Sequence, residues 1–353
     1  WLCDDLGPNK VREETMRLFI ACAIAASILS LQGARAQDAI ADFYRGKQIF
    51  LRIGSAAGSG YDLAGRIVAP YLSRYIPGNP SIVVQSVPGA GSLILANQLY
   101  NTAPRDGTVI GLVSNGMPTA PQLTPDQARF DATKFTWIGS NAPETQIIML
   151  SEKAPATKLD DLFKVETIVG ATAPGVAIYD VPAVLNALSG TRFKIVSGYE
   201  GTAQIDVATE RGELHGQAAL GWISAKTRNM SDIKSGKLKI LAQFGSKPHS
   251  DLPQIPLFPE PANDIDREAF AVMISRQNFG RPLILPPGVP SDRVKALRSA
   301  YAKAMDNPDL RKEAERAGLE INPVSGEELD TLTRQIVRTS PAAIAKLRGI
   351  LSQ

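Results

Sequence analysis

Apolar and polar positions switch between two periods along most of the chain. Residues 48–54 read as a strand. Residues 61–75 then repeat apolar side chains at helical spacing, with Leu63, Ile67 and Tyr71 on one line and Val68 and Leu72 beside it. Residues 82–85 form a second strand, followed by the turn Pro88-Gly89-Ala90-Gly91-Ser92 and a short helix through Leu99; residues 109–113 form a third strand. This rotation of strand, turn and helix predicts an α/β chain, with a mostly parallel sheet flanked by helices. A second run of the same kind starts near Trp137. Its strands fall at 147–150, 167–169 and 194–197, and its helices at 181–188 and 202–211. Residues 247–264, KPHSDLPQIPLFPEPAND, are too rich in proline for a helix or a central strand. Helices resume at 291–305 and after Asn307-Pro308, the latter stopped by Gly318, and Ser325-x-x-Glu328 is a capping box for one more.

The first residues break this pattern. From Met16 the chain reads MRLFIACAIAASILSLQGARA: a positive charge at Arg17, an apolar stretch from Leu18 to Leu31, and Ala34-Arg35-Ala36 as a small-x-small cleavage site. Such a run is short for a bilayer span, which needs about 20 residues. It predicts a secretory signal cut after Ala36, with residues 1–15 as an upstream extension. Both cysteines, Cys3 and Cys22, precede that cut, so the exported chain must be stable by core burial without disulfides. A periplasmic location follows as the expectation. The 353 residues suggest two domains, and 44% hydrophobic with 21% charged residues is ordinary for a globular protein. A net charge of +3, with no basic block carrying aromatics, gives no reason to expect a nucleic-acid partner.

The candidate chemistry lies in two glycine-rich turns. In LRIGSAAGSGYDLAGR (51–66) a strand feeds a helix, and Ser59-x-x-Asp62 has capping-box spacing. Glycines at 54, 58 and 60 allow close backbone approach and positive φ, and unpaired N–H groups at a helix start favour an anion. The turn at 88–92 offers the same chemistry beside it. On these residues alone, a structural bend and an anion cradle stand about even. Asp62 and Arg66 read as an i,i+4 acid–base pair on the helix rather than a catalytic acid and clamp.

Enzyme motifs are missing. There is no Gly-Lys-Ser/Thr of a P-loop and no Gly-x-Ser-x-Gly elbow, and Leu63 stands where a dinucleotide turn wants Gly or Ala. His215 and His249 lie far apart without the spacing of metal ligands. No catalytic residue, metal site or cofactor is therefore assigned.

These residues resemble a known family. Residues 54–66 are similar to the A-A-G-G-x-x-D-x-x-A-R segment of the tripartite tricarboxylate transporter receptors, the Bug-type periplasmic solute-binding proteins; Ala56-Ala57-Gly58 and Asp62 match. Val87-Pro88-Gly89-Ala90-Gly91-Ser92 resembles the family's R-P-G-A-G-G, and Pro104-Arg105-Asp106-Gly107-Thr108-Val109 its P-D-G-Y-T-L. The likeness covers residues 44–353. Tyr199-Glu200-Gly201 resembles the family's Y-K-G, but Ala208 stands where an acid is common and Arg211 replaces the first glycine of a G-G pair.

The resemblance implies a two-domain, type II periplasmic-binding-protein (Venus-flytrap) fold that closes on a small carboxylate. The expected division is residues 37–140 with 240–353 as domain 1, and 141–239 as domain 2. Expected ligand contacts are Ser55, Ala56, Gly58, Ser59, Gly60, Tyr61, Gly89, Ala90, Gly91 and Ser92 from the first domain. The second would add Ala173, Gly175, Tyr179, Gly201 and Thr202, with Tyr61 and Tyr179 as pocket walls. Holding the anion by amides rather than arginine suits a carrier that must release. The implied partners are a small organic acid and a two-subunit integral membrane permease, and the chain itself is expected to be a monomer. A receptor serving a signalling partner, or a secreted α/β hydrolase or isomerase, are the rival readings. The missing acid at 208 argues against an amine-bearing ligand, though Asp206 lies nearby and could substitute.

Overall fold

The computed structural model describes residues 38–352 apart from 173 and 246. The expected leader, its cleavage site and both cysteines lie outside the described residues, as does Ala173.

The chain runs β1 (Gln48–Ile53), α1 (Gly60–Tyr75), β2 (Ser81–Ser86), α2 (Leu93–Asn101), β3 (Val109–Leu112), α3 (Ala120–Leu123) and β4 (Thr136–Ser140). It then enters a second sheet with β5 (Gln146–Ser151), β6 (Thr167–Gly170), α4 (Ala177–Ser189), β7 (Phe193–Val196), α5 (Thr202–Glu210) and β8 (Gly216–Gly221). There follow α6 (Trp222–Arg228), α7 (Met230–Ser235) and β9 (Leu238–Gln243). The proline-rich connector forms no helix and only a bridge, Leu257 to Gln243. Beyond it, α8 (Asp264–Ser275) leads back to the first sheet through β10 (Pro282–Leu285). The chain ends with α9 (Ser291–Asp306), α10 (Pro308–Arg316), β11 (Val324–Ser325), α11 (Gly326–Val337) and α12 (Pro341–Leu351).

The two sheets have orders β11-β4-β10-β3-β1-β2 and β7-β6-β8-β5-β9. Both are mixed. The strands that share one direction pair in parallel at β1–β2, β1–β3, β6–β7 and β6–β8. The first sheet has two opposed strands, β10 between β3 and β4 and β11 at the edge beside β4, and the second has one, β5 between β8 and β9. β10 and β5 are the strands by which the chain returns to one sheet and enters the other.

Both faces of each sheet are covered, and the central strands read accordingly as unbroken apolar runs. In β10, Leu283 and Leu285 enter one core cluster and Ile284 another. In β5, Ile148 and Leu150 face one cluster and Ile147 and Met149 the opposite one. Along α1 the buried stripe is Ala64, Ile67, Val68, Tyr71 and Leu72, whereas Leu63, in the first turn beside the glycine loop, is 41% exposed. Helices α8 and α12 contribute Ala269, Phe270, Met273, Ala343 and Leu347 to the core built on the second sheet.

This topology sets the site. β4 ends at Ser140, which pairs with Pro282 at the start of β10. β5 starts at Gln146, which pairs with Gly221 at the end of β8. The crossovers at 141–145 and 276–281 therefore join the carboxyl edges of the two sheets, where ligands of such folds collect.

Candidate ligand-binding cleft

The first turn is a set of donors held from behind. Ser59 caps α1, accepting from the Asp62 N–H at 3.2 Å. The Asp62 carboxylate is buried and accepts from Arg66 Nε (2.9 Å), the Gly58 N–H (2.9 Å) and, at 3.3 Å, the Ser86 hydroxyl. Arg66 first, and then the Gly58 amide, hold that carboxyl below the usual range. The i,i+4 pair with Arg66 is present, but Asp62 takes the Gly58 N–H rather than the Ser59 N–H of a capping box, so it holds the loop. The Gly54 N–H goes to Leu112 O and the Ser59 N–H to Ala56 O. Among the described residues, the N–H groups of Ser55, Ala56, Ala57, Gly60 and Tyr61 have no protein partner.

The second turn has an unusual backbone. Gly89, Ala90, Gly91 and Ser92 all have positive φ, at 139°, 44°, 58° and 78°. For alanine and serine this conformation costs roughly 1 kcal/mol or more each. Ser92 holds the arrangement: its buried hydroxyl donates to Gly54 O (2.9 Å) and accepts from the Ser114 N–H (3.0 Å), while its own N–H goes to Gly89 O. The Ser114 hydroxyl donates to Gly91 O at 2.8 Å. One serine therefore ties the loops after β1, β2 and β3 together, and a Cβ on Gly54 would run into it. Its polar atoms are engaged in that frame. The Gly89, Ala90 and Gly91 N–H groups are, among the described residues, without a partner.

The second lobe repeats the device. The Gly175 N–H donates to Asp180 in the first turn of α4 (2.8 Å), as Gly58 does to Asp62. Here the keeper is Arg276, from the crossover before β10. Its Nη1 lies 3.1 Å from Asp180 Oδ2 and its Nη2 3.4 Å from Gly175 O, with both charged side chains buried. Arg276 also packs on Gly116 of the first lobe. Gly201 and Thr202 start α5. The Thr202 hydroxyl accepts from Arg228 (2.9 Å), and Asp206 accepts from Arg228 and Gln217, so that acid is already engaged. Tyr179 packs at the edge of the cluster under α4 and α5.

Four residues of the crossovers escaped the sequence reading. Arg276, Arg281, Glu144 and Gly280 sit where the carboxyl edges meet. Tyr61 donates to Gly280 O at 2.9 Å, and burial pushes its phenol far above its ordinary value. The Arg281 N–H donates to Ser140 Oγ, and its guanidinium lies 3.8 Å from Glu144 and 5.8 Å from the Tyr61 ring centroid. The available signal was the polar stretch Arg276-Gln277-Asn278 followed by Gly280-Arg281, set against an apolar strand. No group of three or more His, Cys, Asp and Glu is placed to hold a metal among the described residues. A separate cavity of about 520 Å³ lies between α6 and residues 311–321, with His249, Asp251 and Glu320 in its wall and none of the candidate residues.

The sequence matches the family described as "Tripartite tricarboxylate transporter family receptor" over residues 66–348. The chain belongs to that family. It is a receptor family rather than an enzyme family, and its members are periplasmic binding proteins. A curated relative, the UPF0065 protein in the gbd 5'region of Cupriavidus necator, is 26% identical over 94% of this chain and 96% of its own. A TctC solute-binding protein from Polaromonas is 19% identical, with TM-score 0.65 over 88% of this chain and 99% of that one. An R. palustris protein solved with adipate is 18% identical, with TM-score 0.62 over 86% and 97%. These place the receptor in the two-domain periplasmic-binding-protein fold, as the motifs implied. No described helix is long and apolar enough to cross a membrane.

Proposed function

We propose that this receptor is exported, loses its leader after Ala36, captures a small organic carboxylate between its lobes and delivers it to a two-subunit membrane permease. The observation that carries the reading is the collection of N–H groups at 55–57, 60–61 and 89–91 that have no partner among the described residues, on turns at the carboxyl edge of the first sheet. Such an array, with the positive end of α1, suits a carboxylate. Strain at Ala90 and Ser92, maintained by the Ser92 frame, fits a turn shaped for binding rather than for stability. Ser55, Ala56, Gly58, Ser59, Gly60, Tyr61, Gly89, Ala90 and Gly91 form one jaw in this reading. Gly175, Tyr179, Gly201 and Thr202 form the other, with Ser92 as the frame. Adipate in a relative of the same fold supports the ligand class.

Calorimetry and thermal shift with acetate, hexanoate, benzoate, succinate, malate and adipate test it. Binding of at least one is expected, and no heat or shift with any would overturn it. Co-purification of a two-subunit membrane protein with the tagged receptor tests delivery, and capture of a signalling protein instead would overturn that part. Intact mass of the periplasmic form tests cleavage after Ala36.

A further inference from the structure

A buried guanidinium needs partners. It carries five N–H donors and a fixed charge, and removing it from water is unfavourable unless both are answered. The crossover before β10 carries two buried arginines. Arg276 has Asp180 at 3.1 Å and Gly175 O at 3.4 Å. Arg281, whose side chain is only 10% exposed, has Glu144 at 3.8 Å, beyond hydrogen-bond distance; the buried Nε of each arginine has no partner among the described residues, but only Arg276 has its terminal nitrogens bonded to a carboxylate and a carbonyl. Its Nη2 comes within 3.8 Å of where a Cβ on Gly60 would stand. Gly60 opens α1, so a cation sits beside the positive end of a 16-residue helix whose first N–H groups are unpartnered. Those two positive features repel each other. A negative group between them would answer both.

We infer that Arg281 is a recognition residue for the ligand: it gives a charge-assisted partner to the carboxylate received at the start of α1, and Glu144 competes for it. The inference rests on the carboxylate reading above and deepens it, since it makes the site select for an ionised carboxylate over a neutral isostere. Tyr61 fixes the approach. Its hydroxyl is anchored on Gly280 O, and its ring lies under the guanidinium. The loose Glu144 contact leaves the arginine charged but not saturated, which permits release.

The test titrates the same six acids and their neutral amides into wild type, Arg281→Gln, Arg281→Lys and Glu144→Gln. Acids that bind wild type should weaken by roughly ten- to a hundredfold in Arg281→Gln, the scale of one charge-assisted hydrogen bond, with Arg281→Lys between. The amides should not change. Glu144→Gln should bind the acids more tightly than wild type, because it removes the competitor. Equal acid affinity in Arg281→Gln and wild type would overturn the inference while leaving the carboxylate reading intact. So would a Glu144→Gln variant weakened as much as Arg281→Gln, the mark of a purely structural ion pair. Wild type that binds none of the acids would overturn both. If Arg281→Gln fails to fold, the opposite signs expected of Arg281→Lys and Glu144→Gln still decide.

Discussion

Replacing Arg276 with methionine probes how the second lobe's glycine turn is held. The ion pair with Asp180 is buried on both sides, at 5% and 3% side-chain exposure, so neither charge has water to fall back on. Removing one partner of such a pair costs about 3–5 kcal/mol. The low end applies here. The contact is a single 3.1 Å bond rather than a two-pronged one, the Arg276 Nε already lacks a partner, and Asp180 would keep the Gly175 N–H. A loss of about 3 kcal/mol, at an m-value of about 3 kcal/mol/M, lowers the urea midpoint by about 1 M. Pairing the change with Asp180→Asn removes the stranded charge while keeping an acceptor for Gly175. The double variant should therefore recover at least about 2 kcal/mol of the sum of the single losses. Urea unfolding of all four proteins, followed by fluorescence and by circular dichroism to check that the transitions coincide, measures the cycle. Single losses that simply add in the double variant would refute the reasoning, because the two charges would then be uncoupled.

Ser92→Ala strands the Ser114 N–H and Gly54 O together, so it should cost about 2 kcal/mol in urea unfolding and weaken every carboxylate that wild type binds; unchanged stability would show that the three loops do not depend on it. Asp62 has a folded-state pKa below its unfolded value of about 3.9, so its contribution is present above that value and lost as pH falls through the lower folded one. The stability gap between wild type and Asp62→Asn should thus be open at pH 7 and narrow below about pH 4; a gap independent of pH would contradict the assignment. His215 accepts the Ile168 N–H through Nδ1, and burial lowers its pKa below the unfolded value of about 6.5. Stability should fall as pH drops below about 6.5, and His215→Gln, which can still accept that N–H, should flatten this slope; an unchanged slope would assign it to other groups.

The first lobe was legible because its signals are local. A cap at Ser59, an apolar stripe along α1 and glycine turns after β1 and β2 all act within a few residues, and each formed near where the pattern placed it, except that Leu63, read as the first residue of the stripe, is exposed. The stretch from Gly216 to Gln243 was not. β8 reads GQAALG, without a β-branched residue, and becomes a strand because β5 and β6 pair with it on either side, with Ala219 in positive φ at a bulge against β5. β10 is four apolar residues beginning with proline, and its place between β3 and β4 is decided by partners more than 140 residues earlier.

The candidate site divides along the same line. Both jaws use one device, a loop glycine whose N–H is taken by an aspartate in the first turn of the next helix: Gly58 with Asp62, Gly175 with Asp180. In the first jaw the aspartate's cation is Arg66, four residues on, so the whole unit can be read from one window of sequence. In the second the cation is Arg276, 96 residues away, on the crossover that returns the chain to the first sheet. No local spacing announces that pair. Arg281 escaped for the same reason, since its meeting with Gly60 and Glu144 exists only once both crossovers have brought the carboxyl edges together. The sequence therefore suggested an anion held by amides rather than by arginine, whereas the folded chain also brings two buried arginines to the crossover beside those amides. One is answered by Asp180 and the other is held by Glu144 only loosely, so the less well answered charge lies beside the amides at the start of α1 that have no partner among the described residues.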